Sequence, residues 1–378
     1  MEWMLMLAAA GLAYVLQELL YRRFWAKGLT AEIGFQEEAA VEGDCAYLKE
    51  TVTNAKPLPL SVLHVKFQMD RSLRFVTEEN MAVTDLTYRN DMFSVLPWQK
   101  ITRTLHFTCQ KRGYYSCSSV DLVAYDLFLT QILTTSQPTQ TRLYVYPAPV
   151  DRKKLSLPFY HMLGTVLSRQ RLNEDPFAFR GIREYQSFDS MREVNWKASA
   201  KSGTLLVNVY ESTASQKVVI LLNLEAERFW TDGERQEESI RIAASMMLEW
   251  MERGIEVALV SNGWDSLTKE AMWIPAGTGE EHKRTVLEHL SRLCYEGNLC
   301  AFEQLLGEQK REAESGNVLY LLISSNQREE MLAAFEELCQ NSPESLWIAP
   351  LKKEEELYSS RCLRAVSMKW ELERRREL

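Results

Sequence analysis

The sequence predicts a multidomain chain: an apolar helix at the start, a β-sandwich, and then an α/β unit built on a doubly wound parallel sheet. Three observations carry that reading. Residues 3–20, "WMLMLAAAGLAYVLQELL", form one apolar run; residues 30–150 break into short strand-like runs punctuated by turn formers; and beyond residue 151 apolar strands alternate with amphipathic helices.

The composition sets the limits first. A chain of 378 residues, 46% hydrophobic and 25% charged, buries real cores and is not a disordered protein. Its formal charge of −8, with Lys and Arg interspersed among Asp and Glu, argues against nucleic acid as a partner, since phosphate binding needs concentrated basic residues. Cys45, Cys109, Cys117, Cys294, Cys300, Cys339 and Cys362 make no CxxC pair and offer no zinc spacing with His, the pattern of free thiols in a reducing compartment.

Residues 3–20 rise about 27 Å as a helix at about 1.5 Å per residue, close to one hydrocarbon core, so residues 1–25 are expected to be a transmembrane helix. Gln17 and Glu18 weaken that reading but lie near one end, where Tyr21 and Trp25 can anchor at the interface. A signal peptide needs a basic region before the apolar run, and this chain starts Met-Glu. Arg22, Arg23 and Lys27 follow the run instead, which expects a single-pass protein of the cell membrane with its bulk in the cytoplasm. A buried helix of a soluble protein is the competing reading.

Residues 30–150 are expected to be an immunoglobulin-like β-sandwich, with strands such as "CAYLKETVTN", "LSVLHVKFQM", "RTLHFTC" and "RLYVYP". Lys111, Arg112 and Gly113 read as a turn, with Tyr114 and Tyr115 re-entering the sheet as packing aromatics. "PAPVDRKK" marks the boundary to residues 151–351, where a helical connector around "LPFYHMLGTVLSRQ" precedes the strands "KVVILLNL", "IEVALVSN", "NVLYLLISS" and "SLWIAP". Between the first two, Ile240, Ile242, Met246, Met247 and Trp250 fall near helical spacing and the helix is expected to stop at Gly254, its methionines filling the core. Residues 352–378, with "KKEEE", read as a charged, solvated tail.

The densest local signal is "REYQSFDSMREVNWKASAKSG", residues 183–203. Ser190 with Glu193 reads as a capping box, with Asp189 adding negative charge at the helix start. Met191, Val194 and Ala198 then share one face, Arg192, Lys197 and Lys201 point away, Gly203 closes the helix, and "TLLVNVY" is the next strand. Charged side chains converging where strand, helix and strand meet would brace the connection under a buried Trp196; an exposed Trp196 with Arg neighbours would instead be a docking surface, those residue types being enriched in binding hot spots.

This segment resembles the signature of the bacterial family catalogued as domain of unknown function 58, whose pattern runs roughly Arg-Glu-Tyr, Gly-Asp, Arg, then Trp-Lys-Ala-Ser-Ala-Arg. Arg183, Glu184, Tyr185, Asp189, Arg192, Trp196, Lys197, Ala198, Ser199 and Ala200 match, while Phe188, Asn195 and Lys201 depart from it. Arg112, Gly113 and Tyr115 echo the family's Arg-Gly-x-Tyr turn. Family members usually have two membrane segments; one is found here. The resemblance implies a membrane anchor, a fold similar to von Willebrand factor type A, and work alongside a MoxR-type AAA ATPase and other membrane or envelope proteins in assembling or maturing complexes.

Type A domains hold a divalent cation through Asp-x-Ser-x-Ser after the first core strand. The aligned positions here are Asn223, Glu225 and Glu227, with Ser324 and Ser325 where a later Asp would stand, so the ligand set reads as lost and no metal or other cofactor is expected. Glu225 and Glu227 are expected to be solvated. No Gly-x-Ser-x-Gly, His-Glu-x-x-His or phosphate-loop pattern occurs, and a carboxylate beside Arg and Lys is a poor base near neutral pH. The expectation is a non-enzymatic adaptor; the alternative is a hydrolase-like enzyme of the cytoplasmic face using Glu184, Asp189 and Arg192.

Overall fold

The computed structural model describes residues 2–77, 80–172, 174–186, 191–212, 217–225, 233–297, 299–312, 318–341, 345–358 and 367–372. The chain divides into two compact units, Met1–Ala148 and Pro149–Leu378.

In the first unit, α1 (Glu2–Phe24) is followed by β1 (Leu29–Phe35), β2 (Ala39–Val41), β3 (Cys45–Asn54), β4 (Leu60–Asp70), β5 (Leu73–Phe75), β6 (Met81–Val83), β7 (Leu86–Val95), β8 (Lys100–Cys109), β9 (Gly113–Tyr125) and β10 (Ile132–Tyr146). These make a four-stranded sheet, β1-β3-β8-β5, and a six-stranded sheet, β2-β10-β9-β4-β7-β6. Inward residues alternate with outward ones, as in β3, and one continuous core including Leu48, Leu63, Phe107 and Leu122 is buried as in a sandwich. The edges of the two sheets are tied by side chains. Gln137 on β10 accepts from the Ala31 N–H and donates to the Leu29 carbonyl, and Thr141 accepts from the Phe35 N–H, so β1 does not expose a free ladder.

The Arg112-Gly113 turn has a steric cause. The Tyr115 hydroxyl donates back to the Lys111 carbonyl at 2.9 Å, folding its ring over Gly113, where a Cβ would lie 2.8 Å from the ring Cζ. Only glycine fits beneath that ring.

The second unit runs α2 (Arg152–Leu172), β11 (Glu174–Glu184), a 3₁₀ turn at Met191–Glu193, α3 (Trp196–Ser202), β12 (Leu206–Ser212), β13 (Lys217–Leu222), α4 (Glu234–Glu252), β14 (Glu256–Asp265), β15 (Ala271–Gly277), α5 (Glu280–Arg292), β16 (Leu293–Cys294), α6 (Phe302–Glu312), β17 (Val318–Ile323), α7 (Glu329–Asn341), β18 (Leu346–Leu351) and β19 (Ser367–Glu371). The main sheet has the order β15-β14-β13-β17-β18-β19; β13, β14, β17, β18 and β19 are mutually parallel and β15 is an antiparallel edge.

Helices cover both faces of this sheet. Val218, Ile220 and Leu222 of β13 pack with Ile240, Met247 and Trp250 of α4 on one side, while Val219 and Leu221 pack with Phe302, Met331 and Phe335 on the other. Burial on both faces explains why the strands read as unbroken apolar runs. Gly254, at φ +74°, ends the α4 turn, its N–H donating to the Met251 carbonyl. The stretch beyond residue 352 departs from the expected solvated tail: "SMKWE" adds β19 beside β18, and Trp370 is buried there with its indole N–H on Glu238. Ser367, Lys369 and Glu371 within the strand hid it, its one buried side chain being Trp370.

Candidate functional site

Two constellations of the second unit merit a functional reading. The first lies at the C-terminal ends of the parallel strands. The chain starts at β13, steps to β14 on one side and later to β17 on the other, so the β13–β17 boundary is a topological switch point, the place where open α/β sheets form crevices.

That crevice is laced by neutral groups. Asn223, just past β13, donates through Nδ2 to the Ser324 hydroxyl at 3.1 Å, and its Oδ1 accepts from Asn262 Nδ2 at 3.1 Å and from the Glu225 N–H at 3.0 Å. Asn262 Oδ1 accepts from the Leu224 N–H, and the Trp347 indole donates to the Ser324 carbonyl at 3.0 Å, which carries the network onto β18. Asn223, Asn262, Ser324 and Ser325 are all buried.

Glu225 is not the solvated residue expected. Its carboxylate accepts from the Phe302 N–H at the start of α6 at 3.1 Å and from Asn326 Nδ2 at 3.0 Å, and it pairs with Arg328, whose guanidinium also lies 3.5 Å from Glu303. Helix-start N–H groups and a guanidinium both favour a carboxylate. Glu227 lies outside the described residues.

A divalent cation of the type A kind needs several hard oxygens free to coordinate. Here the Asn223 oxygen already accepts from two N–H groups, both Glu225 oxygens are engaged, and the positive charge at the crevice is Arg328 itself. These residues do not fit the ion. Among the described residues no group of three His, Cys, Asp or Glu side chains converges anywhere in the chain.

The second constellation is the signature segment. Asp189 and Ser190, and with them the capping box, lie outside the described residues; the helix that follows is α3, and it starts later than the sequence suggested, at Trp196. Its cap is Asn195, whose Oδ1 accepts from the Ala198 N–H at 2.9 Å while its Nδ2 donates to Asn208 on β12 at 2.7 Å. Ser199 closes the other side: its hydroxyl accepts from the Leu206 N–H at 2.8 Å and lies 3.3 Å from the Leu206 carbonyl. Gly203, at φ +74°, ends the helix as expected.

Among the described side chains, an amide and a hydroxyl join strand, helix and strand at this junction. Arg183, Glu184, Arg192, Lys197 and Lys201 are exposed; Arg183 donates to the backbone carbonyl of Glu184, and Tyr185 is half-buried with its N–H on the Leu205 carbonyl. Val194 is buried but Met191 is not. Trp196 is 61% exposed, so it does not roof a buried brace. Asn195, a departure from the family pattern, takes the central structural part. Sequence reading missed Asn208, Asn262, Asn326 and Arg328, since isolated amides and one Arg in a loop carry no periodic or spacing signal.

Comparison with known proteins places a match in this unit. A family profile described as "Protein of unknown function DUF58" matches residues 181–338. The uncharacterized protein YeaD of Bacillus subtilis (strain 168) is 23% identical over 252 residues, which is 66% of this chain and 58% of the relative, so the chain spans little more than half of that relative's length. Among solved structures, the CARDB domain of the PF1109 protein from Pyrococcus furiosus, solved in complex with di-metal ions, covers 31% of this chain and 93% of its own at 15% identity and TM-score 0.19. A non-cellulosomal cohesin from Archaeoglobus fulgidus covers 34% of this chain and 96% of its own at 8% identity and TM-score 0.21.

Proposed function

We propose that this chain is a membrane-tethered, non-enzymatic adaptor. In this reading α1 crosses the cell membrane once, the remainder lies on the cytoplasmic side, and a degenerate unit similar to von Willebrand factor type A docks other proteins. The partner is a MoxR-type AAA ATPase acting with other membrane or envelope proteins in assembly or maturation of complexes.

The observation that supports the reading most is the exposure of Trp196 at the start of α3. A solvent-facing Trp with exposed Met191, Arg192 and Lys197 around it has hot-spot composition, whereas its neighbours Asn195 and Ser199 do the structural work. The crevice over the parallel sheet supports it too, because Asn223, Asn262 and Ser324 are bonded to one another and Asn223 also accepts from the Glu225 N–H. The apolar α1, long enough to span and exposed along residues 3–16, supports the tether, with Arg22, Arg23 and Lys27 setting its direction.

Affinity isolation of the full chain from native-host membranes with ATP present tests the proposal. It expects an AAA ATPase of the MoxR type with the wild type and its loss with Trp196→Ala. Recovery of no such ATPase, or equal recovery with both proteins, counts against it.

A further inference from the structure

We propose that the sandwich end next to α1 is itself seated in the lipid interface, with the β9–β10 hairpin tip and the β7–β8 loop immersed beside the helix. This deepens the membrane reading of α1 and rests on it.

Length supplies the first argument. Residues 3–13 of α1 are exposed and rise about 16 Å at about 1.5 Å per residue, roughly half of a hydrocarbon core of about 30 Å. A span therefore has to use residues 14–21 as well. Those residues run alongside the hairpin tip: Tyr14 meets the Phe128 ring at 5.8 Å and the Thr130 hydroxyl at 3.2 Å, Gln17 donates to Asp126 at 2.9 Å, and Gln131 bonds to Glu18. Whatever depth Tyr14 reaches, the tip reaches with it.

The tip is built for that place. Its polar side chains face the helix or the loop's own backbone: the Asp126 carboxylate accepts from Gln17, from the Thr130 hydroxyl and N–H, and from the Gln131 N–H. Gln17, through its amide N–H, and Glu18, through its carboxylate, thus bond to the tip, and polar groups at membrane depth favour such partners. Leu127, Phe128, Leu129 and Ile132 face outward.

Backbone conformation gives an independent sign. Leu129, at φ +58°, and Trp98 of the β7–β8 loop, at φ +57°, occupy the left-handed region that costs side chains such as these energy, and both point into solvent, Trp98 at 70% exposure. Strain held to display an apolar side chain needs a use. Both loops lie at the same end: the Tyr21 hydroxyl donates to the Pro59 carbonyl, Asn54 bridges the Leu58 and Leu96 carbonyls, and the Trp98 N–H donates to Lys56. Exposed Arg22, Arg23, Lys27 and Lys100 at this end suit anionic headgroups.

The test places one environment-sensitive nitrobenzoxadiazole label at a time on the full chain, with Cys45, Cys300 and Cys362 changed to Ser, in phosphatidylcholine–phosphatidylglycerol vesicles carrying lipid spin quenchers. Labels go at Leu7→Cys in α1, at Leu129→Cys and Trp98→Cys in the loops, and at Val83→Cys at the far end of the sandwich. The expected result is quenching at 7, 129 and 98, with the loop labels answering best to quenchers near the headgroup, and none at 83. Quenching at 7 alone overturns the loop inference and leaves α1 as an anchor; no quenching at any site overturns both. Leu129→Gly, labelled at Trp98→Cys, guards against a folding artefact: it relieves the strain, so the label at 98 stays quenched if the end is seated.

Discussion

The side-chain amide of Asn223 donates to the hydroxyl of Ser324 at 3.1 Å, joining the two strands on either side of the switch point without a charge. Around that bond the crevice of an α/β sheet is filled by its own polar groups, and Arg328 stands against Glu225 as the resident cation.

The two members of that ion pair are expected to differ in importance. Arg328 is half exposed, so Arg328→Ala should cost only about 0–1 kcal/mol. Glu225→Ala leaves the Phe302 N–H and the Asn326 amide without their acceptor and should cost about 2–3 kcal/mol. Denaturant midpoints of the two variants check this, and millimolar Mg²⁺ should shift neither them nor wild type.

The sandwich should lose stability as pH rises from about 4.5 to about 8. Glu50 is fully buried, and burial, then the neighbouring Asp91 charge, push its pKa up to about 8, while Arg89 and Arg103 both bond Asp91. The folded chain therefore keeps a proton that the unfolded chain releases above about pH 4.5. The stabilisation is fully present below that pH and is lost as pH rises through about 8. Glu50→Gln should flatten the thermal-unfolding profile between pH 5 and 9 and be the more stable protein at the alkaline end.

Within the signature segment, Asn195 and Ser199 should matter to stability and the exposed lysines should not. Asn195→Ala removes a helix cap and the bond to Asn208, for about 1–2 kcal/mol. Ser199→Ala should cost about 1–3 kcal/mol through the Leu206 N–H it leaves unbonded. Lys197→Ala and Lys201→Ala, both exposed, should stay within about 0.5 kcal/mol of wild type. Thermal melts of the four variants make the comparison.

Legibility in the sequence followed periodicity. The sandwich strands were readable from apolar positions at a period of about 2, and the α/β alternation from unbroken apolar strands set between helices of period about 3.6. Gly203 and Gly254 were readable as stops because few other residues adopt positive φ cheaply. Trp196 illustrates the limit: its type was evident, but whether it faces water depends on where β12 crosses α3, which no local pattern encodes. The same holds for Gln17 and Glu18, whose partners Asp126 and Gln131 lie far along the chain, and for β19, a short strand that depends on the edge β18 presents.

The docking face proposed on α3 is tested by the affinity of Trp196→Ala for the proposed MoxR-type ATPase, taken with its melting temperature. A Kd raised at least about tenfold, roughly 1.4 kcal/mol or more, with the melting temperature unchanged, is the expected result. An unchanged Kd, or a melt showing the loss of about 3–5 kcal/mol that removing a buried Trp brings, would contradict it.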